Sequence, residues 1–129
     1  MEIRRVLPSE LAAAFSLLVD NGWAHRIAGL AEFVALVEAS PVAEVAVIDG
    51  QVVGFVRAIT DGLSNGYLSM VVVAPAHRGR RIGTALVAHV TGADPRITWV
   101  LRAGRDGAPA FFARLGFTVS SIAMERLRA

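Results

Sequence analysis

The chain of 129 residues has no cysteine and no lysine, a single tyrosine and three histidines. Without cysteine there is no disulfide, no thiol nucleophile and no cysteine-bound metal. Three scattered histidines speak against a zinc site, so no metal is expected. Without lysine there can be no G-x-x-x-x-G-K-[ST] phosphate loop, and the dinucleotide fingerprint G-x-G-x-x-G is absent too. No apolar run reaches the length of a membrane span, and Met1-Glu2-Ile3-Arg4-Arg5 is not the hydrophobic segment of a signal peptide. The expectation is a soluble, cytoplasmic protein with no membrane partner. Excess charge is scarce as well. The formal net charge is +2 although the pI is about 10.4, because every base is arginine. Strong non-specific nucleic-acid binding needs a larger charged face, so no nucleic-acid partner is expected.

What the chain does have is apolar residues, 54% of the total, enough for one domain over residues 1–129 with a single sizeable core. Its most informative stretch is Leu68 to Leu86, LSMVVVAPAHRGRRIGTAL. Val71, Val72 and Val73 are β-branched and suit a buried strand, and Pro75 stops it. Beyond the turn, Ile82, Ala85, Leu86, His89 and Val90 recur at helical spacing. An arginine- and glycine-rich turn therefore joins a strand to a helix start. Unpaired N–H groups and the helix dipole make such a start an anion cradle. Arg78, Arg80 and Arg81 add permanent charge, while Gly79 and Gly83 allow close approach of a ligand.

The rest of the chain supplies the frame. Ile3 to Val6 reads as a strand. A helix follows, N-capped by Ser9 and ended by Asn21-Gly22, with Leu11, Phe15, Leu18 and Val19 on its apolar face. Leu30, Phe33, Val34 and Val37 predict a second helix, closing before Ser40-Pro41. Strands at Ala43–Ile48 and Gln51–Thr60 flank Asp49-Gly50, a two-residue hairpin signal, and Tyr67–Val73 continues the meander. Arg96–Arg102 reads as a strand, Ala108–Leu115 as a short helix and Phe117–Leu127 as a final strand. The predicted order is β-α-α-β-β-β-α-β-α-β, an α/β (α+β) domain with a mixed central sheet and helices on both faces. The strand-helix-strand unit in the second half implies a parallel pair, with a cleft where its strands part.

With these residues in place the chain resembles the GNAT superfamily of acyl-coenzyme A dependent N-acetyltransferases. Val71 to Gly83 is similar to that family's coenzyme A motif, a strand, a proline and then [QR]-x-x-G-x-[GA]. Ala108-Pro109-Ala110-Phe111-Phe112-Ala113-Arg114-Leu115-Gly116-Phe117 is similar to its A-x-x-[FL]-Y-x-[KR]-L-G-F segment. Gly22-Trp23 and Gly54 to Asp61 resemble a subgroup of small-amine acetyltransferases that includes serotonin N-acetyltransferase-like proteins. Two positions depart from the family pattern: Arg81 stands at the motif's first glycine, and Phe112 at the tyrosine that often protonates the leaving thiolate.

The resemblance implies acetyl-coenzyme A as co-substrate and an amine as acceptor. The backbone of Val71 and Val73 would hold the pantetheine arm, and the amides of Gly79, Arg80, Arg81, Ile82, Gly83 and Thr84 the pyrophosphate. Arg78, Arg80 and Arg81 would surround the phosphate oxygens, and the Val73 amide would polarise the thioester carbonyl. For base chemistry the sequence offers Tyr67, Asp61 and Ser69. Packing, turn capping and water holding are their respective structural alternatives. Trp23, His25 and Arg57 are candidates for the acceptor site. Without the tyrosine hydroxyl, a non-catalytic acyl-coenzyme A sensor is the competing reading. An exposed sheet edge would be compatible with a homodimer.

Overall fold

The structure is a computed structural model and describes residues 1–129. A five-stranded sheet in the order β1-β2-β3-β4-β5 forms its centre. The strands are β1 (Glu2–Arg5), β2 (Val42–Ile48), β3 (Gln51–Thr60), β4 (Asn65–Val73) and β5 (Thr98–Leu101). The first four meander antiparallel, and β5 pairs parallel to β4. Helices α1 (Leu11–Leu18) and α2 (Leu30–Glu38) cover one face, and α3 (Ile82–Thr91) and α4 (Ala108–Arg114) the other. The β4–α3–β5 unit supplies the parallel pair that the sequence implies.

Alternation along the strands sorts the core onto these two faces. Leu18, Phe33, Val45, Phe55 and Val72 pack under α1 and α2. Val53, Val56, Leu68, Leu86 and Phe112 pack under α3 and α4. At Asp49-Gly50 both residues have positive φ, 50° and 76°, as a two-residue hairpin of the predicted kind requires. Two close approaches depend on glycine. A Cβ at Gly54 would lie 2.8 Å from Leu86 Cδ1, and one at Gly66 would lie 2.4 Å from the Trp99 ring.

Two sequence expectations fail. Ser9 does not cap the first helix. Pro8–Glu10 forms a 3₁₀ turn instead, and the Glu10 carboxylate accepts the Leu7 amide at 2.8 Å while Arg4 holds both its oxygens. The final strand expected over Phe117–Leu127 does not form. Ser120 Oγ accepts the amides of Ile122 and Ala123 at 3.1 and 2.8 Å, a local turn that competes with extended pairing. Val119, Ile122 and Met124 are consequently exposed. No helix is long and apolar enough to cross a membrane.

Candidate active site

The site begins where β4 and β5 part. Their pairing runs from Asn65 opposite Thr98 to Leu68 opposite Leu101 and stops there, while β4 continues to Val73. A bulge helps open the gap. Between Phe55 and Arg57 on β3 the register skips, and Met70 takes a left-handed φ of 56°. On the far side of the bulge the Ala74 amide bonds to Val53 O of β3 at 2.8 Å. Backbone groups alternate in direction along a strand, so those of Val71 and Val73 face the open edge. Arg78 Nε takes the Val73 carbonyl at 3.1 Å, leaving the Val73 N–H free of that contact.

The turn leading to α3 completes the frame. None of the backbone amides from Gly79 to Thr84 donates a hydrogen bond within the chain. Gly79 has a φ of 79°, and Arg81, at the motif's first glycine, takes the same left-handed conformation at φ 63° and ψ 21°. The turn thus keeps a glycine-like backbone with a side chain present. Gly83 lets α3 approach α4: a Cβ there would stand 3.2 Å from Phe111 Cζ. A run of free amides, a helix N-terminus and an unpaired strand edge adjoin one another, an arrangement suited to a diphosphate with an amide-bearing arm.

The gap and the turn share one cleft of about 1810 Å³. Tyr67, Ser69, Val71, Val73, Arg78, Gly79, Arg81, Ile82, Gly83 and Thr84 line it, as do Trp23, His25 and Arg57, the residues expected at an acceptor site. Tyr67 and Ser69 project from the same strand, and Arg57 stands across from Ser69 on β3. Arg80 lies outside this lining and is exposed. Arg78 works as a strut rather than a free phosphate ligand, since its second contact is Nη2 to Asn21 Oδ1 at 3.0 Å.

Asp61 stands apart from the cleft. Its Oδ1 accepts the amides of Leu63, Ser64 and Asn65, and its Oδ2 accepts the Ser64 hydroxyl. These bonds push its pKa far below the ordinary carboxylate range, which makes it a turn cap and a very weak base. Phe112 is 9% exposed and packs edge-on between Phe111 and Phe117, at centroid distances of 4.9 and 5.6 Å. Phe112, where the resemblance implies a tyrosine, thus belongs to the core and borders the cleft with an apolar ring.

Sequence reasoning missed the bridge over the cleft. Arg105, in the loop between β5 and α4, lies 3.8 Å above the Trp23 ring and donates to the Asn21 carbonyl. Asn21 ties back to Leu17 O at 2.7 Å, so this residue, read as a helix stop, joins three segments. The only advance signal was an arginine between two glycines, Gly104 and Gly107. His77, beside the turn, has a buried Nδ1 with no hydrogen-bond partner.

Comparison with known proteins identifies this arrangement. A family model described as acetyltransferase (GNAT) domain matches residues 33–119, which contain the strand edge, the turn, α3 and α4. The chain belongs to the GNAT acetyltransferase family. Among solved structures, a GNAT-family protein from Xanthomonas campestris described as a putative acetyltransferase is 28% identical, with a TM-score of 0.77 over 99% of this chain and 94% of that one. A ribosomal-protein-alanine N-acetyltransferase from Brucella melitensis shares the fold at 22% identity and a TM-score of 0.76, with both chains covered 100%. An aminoglycoside 6'-N-acetyltransferase complexed with coenzyme A is 26% identical, with a TM-score of 0.61 over 70% of this chain and 53% of that one. No curated protein matches the sequence at a significant level.

Proposed function

We propose that this GNAT acetyltransferase moves an acetyl group from acetyl-coenzyme A to the primary amine of a small molecule, by direct transfer with both substrates bound. The observation that carries the reading is the run of unpaired amides from Gly79 to Thr84 beside the open edge of β4. Such a frame can bind a diphosphate and its extended arm without a metal or a lysine. Arg81 adds charge from the same turn, and Arg80 from outside the cleft.

The amine must lose its proton first. For an alkylamine with a pKa near 10.4, this costs about 4 to 5 kcal/mol at pH 7. Holding two reactants in line supplies roughly 7 to 11 kcal/mol, so a weak base suffices. Tyr67 and Ser69, on the β4 segment next to the open edge, are the groups whose hydroxyls are placed to relay that proton to solvent water, which takes it up. The nitrogen then bonds to the thioester carbon as the carbon–sulfur bond breaks, and the remaining ammonium proton ends on the sulfur. Because Phe112 has no hydroxyl, that proton reaches the thiolate through Tyr67 or solvent. The Val73 N–H faces the edge where negative charge develops on the carbonyl oxygen. The small-amine subgroup likeness rests on Gly22-Trp23 and Gly54 to Asp61, of which Trp23 and Arg57 line the cleft.

We place the protein in the cytoplasm, and β5, an edge strand with β4 as its single neighbour, gives a homodimer a place to form. Thiol release from acetyl-coenzyme A with a panel of amines tests the reading. Turnover that depends on the amine supports it; tight binding of acetyl-coenzyme A with no turnover on any amine would return the chain to the sensor reading.

A further inference from the structure

Arginines are prominent on the acceptor side of the cleft. Arg26, Arg57, Arg102 and Arg105 line it. Three carboxylates share this lining: Glu125 pairs with Arg102 at 2.6 Å, Glu32 accepts the Ala28 amide at 2.8 Å, and Asp106 forms no ion pair; none of them contacts Arg57. Arg57 differs from the other arginines in its place. It sits in the middle of β3, half-buried, between Ala43 of β2 and Ser69 of β4. Its Nε donates to Ser40 Oγ at 2.7 Å, and that hydroxyl donates onward to Leu36 O at 2.6 Å, which fixes the plane of the guanidinium.

The terminal nitrogens of Arg57 make no hydrogen bond within the chain, and no carboxylate forms an ion pair with it. Burial holds its pKa below the ordinary arginine value, as expected of a cation that has given up hydration without gaining a counter-ion. Arginine nevertheless stays charged at neutral pH. A half-buried, unpaired charge is costly, and it invites a ligand that completes it. The fork of two terminal nitrogens, held in one plane, matches the two oxygens of a carboxylate.

We infer that Arg57 recognises an anionic group of the acceptor, and that the acceptor is an amine that also carries a carboxylate, of the amino-acid class. The inference rests on the transferase reading for the ligand's role as acceptor. A carboxylate held at Arg57, across from Ser69, leaves the amine of the same small molecule close to the open edge at Val71. Polyamines and simple amines would leave the Arg57 charge unpaired. A single fork with no second cation on it favours a carboxylate over a phosphate, which is commonly held by several donors.

Calorimetry tests this with product-like probes, in the presence and absence of coenzyme A. The probes are N-acetylglycine, N-acetylleucine and N-acetylphenylalanine, each beside the same amide lacking the carboxylate. At least one acid is expected to bind roughly 10- to 100-fold more tightly than its partner amide, the range a charge-assisted pair supplies. Arg57→Gln removes that preference and leaves coenzyme affinity unchanged, whereas Arg57→Lys keeps part of it. Equal binding of acids and amides overturns the proposal, as does the absence of binding by any acid. So does an equal loss for acids and amides in Arg57→Gln, or tighter binding of N-acetylphosphoethanolamine than of every acid. Should Arg57→Gln not fold, the wild-type preference and Arg57→Lys still decide. Since the readout is binding, acid selectivity without release of thiol from acetyl-coenzyme A when the parent amino acids are supplied would sink the transferase reading and leave the anion site standing.

Discussion

Replacing Arg81 separates two effects that this residue combines. Its φ of 63° and ψ of 21° are left-handed, which costs an L-residue roughly 1 to 2 kcal/mol. Arg81→Gly removes that cost and returns about 0.4 to 1 kcal/mol of conformational freedom to the unfolded chain. The net gain is about 0.5 to 1 kcal/mol, or a Tm higher by about 2 to 4 °C for a domain of this size. The same change removes a permanent charge at the start of α3. An exposed charge there is worth about 0.3 to 1 kcal/mol to a bound anion, so the Kd for coenzyme A rises about two- to fivefold. Arg81→Ala loses the charge but keeps the strained backbone, and should weaken binding with no rise in Tm. Scanning calorimetry and titration calorimetry on the two variants measure both quantities. If Arg81→Gly melts no higher than the parent, or Arg81→Ala melts as high as Arg81→Gly, the strain argument is wrong. An unchanged Kd in both variants removes the side chain from the phosphate site.

Gly66→Ala puts a Cβ about 2.4 Å from the rigid Trp99 ring, so β4 and β5 must shift; a loss of about 1 to 3 kcal/mol in urea unfolding is expected, and an unchanged midpoint would refute the packing. Tyr67→Phe should lower kcat at least about tenfold while leaving coenzyme affinity unchanged, and untouched turnover would make Tyr67 a packing residue. The Arg4 hydrogen bond holds the Glu10 carboxyl below its ordinary pKa of 4.5. Its contribution to stability is therefore present above pH 4.5 and lost as pH falls through the folded pKa. Glu10→Gln should lower Tm at pH 7 and converge with the parent in acid; a gap that stays constant with pH would mean that the carboxylate charge plays no part.

The sequence made the central features readable where one chemical signal dominated. The hairpin at Asp49-Gly50, the Val71–Val73 strand and the arginine-glycine turn before Ile82 are local, each written in a few adjacent residues. What escaped depends on contacts distant in sequence. Asn21 reads as a helix stop because nothing near it shows that Arg78 and Arg105 will converge on it. Asp61 reads as a base by its position between strands, yet three amides and a hydroxyl occupy its oxygens. The expected last strand gave way to a serine-based turn that an apolar tally over Phe117–Leu127 does not reveal. Arg81 is the reverse case: it stands where the family pattern has glycine, and its backbone takes the left-handed conformation that glycine favours.

We propose that the amides of Gly79 to Thr84, with the outward groups of Val71 and Val73, bind the acyl donor. Amide chemical shifts followed by NMR during a titration with coenzyme A test it residue by residue. Saturable shifts concentrated at Gly79–Thr84 and at Val71 and Val73 are expected. Shifts confined to other parts of the chain, or none at all, would contradict it.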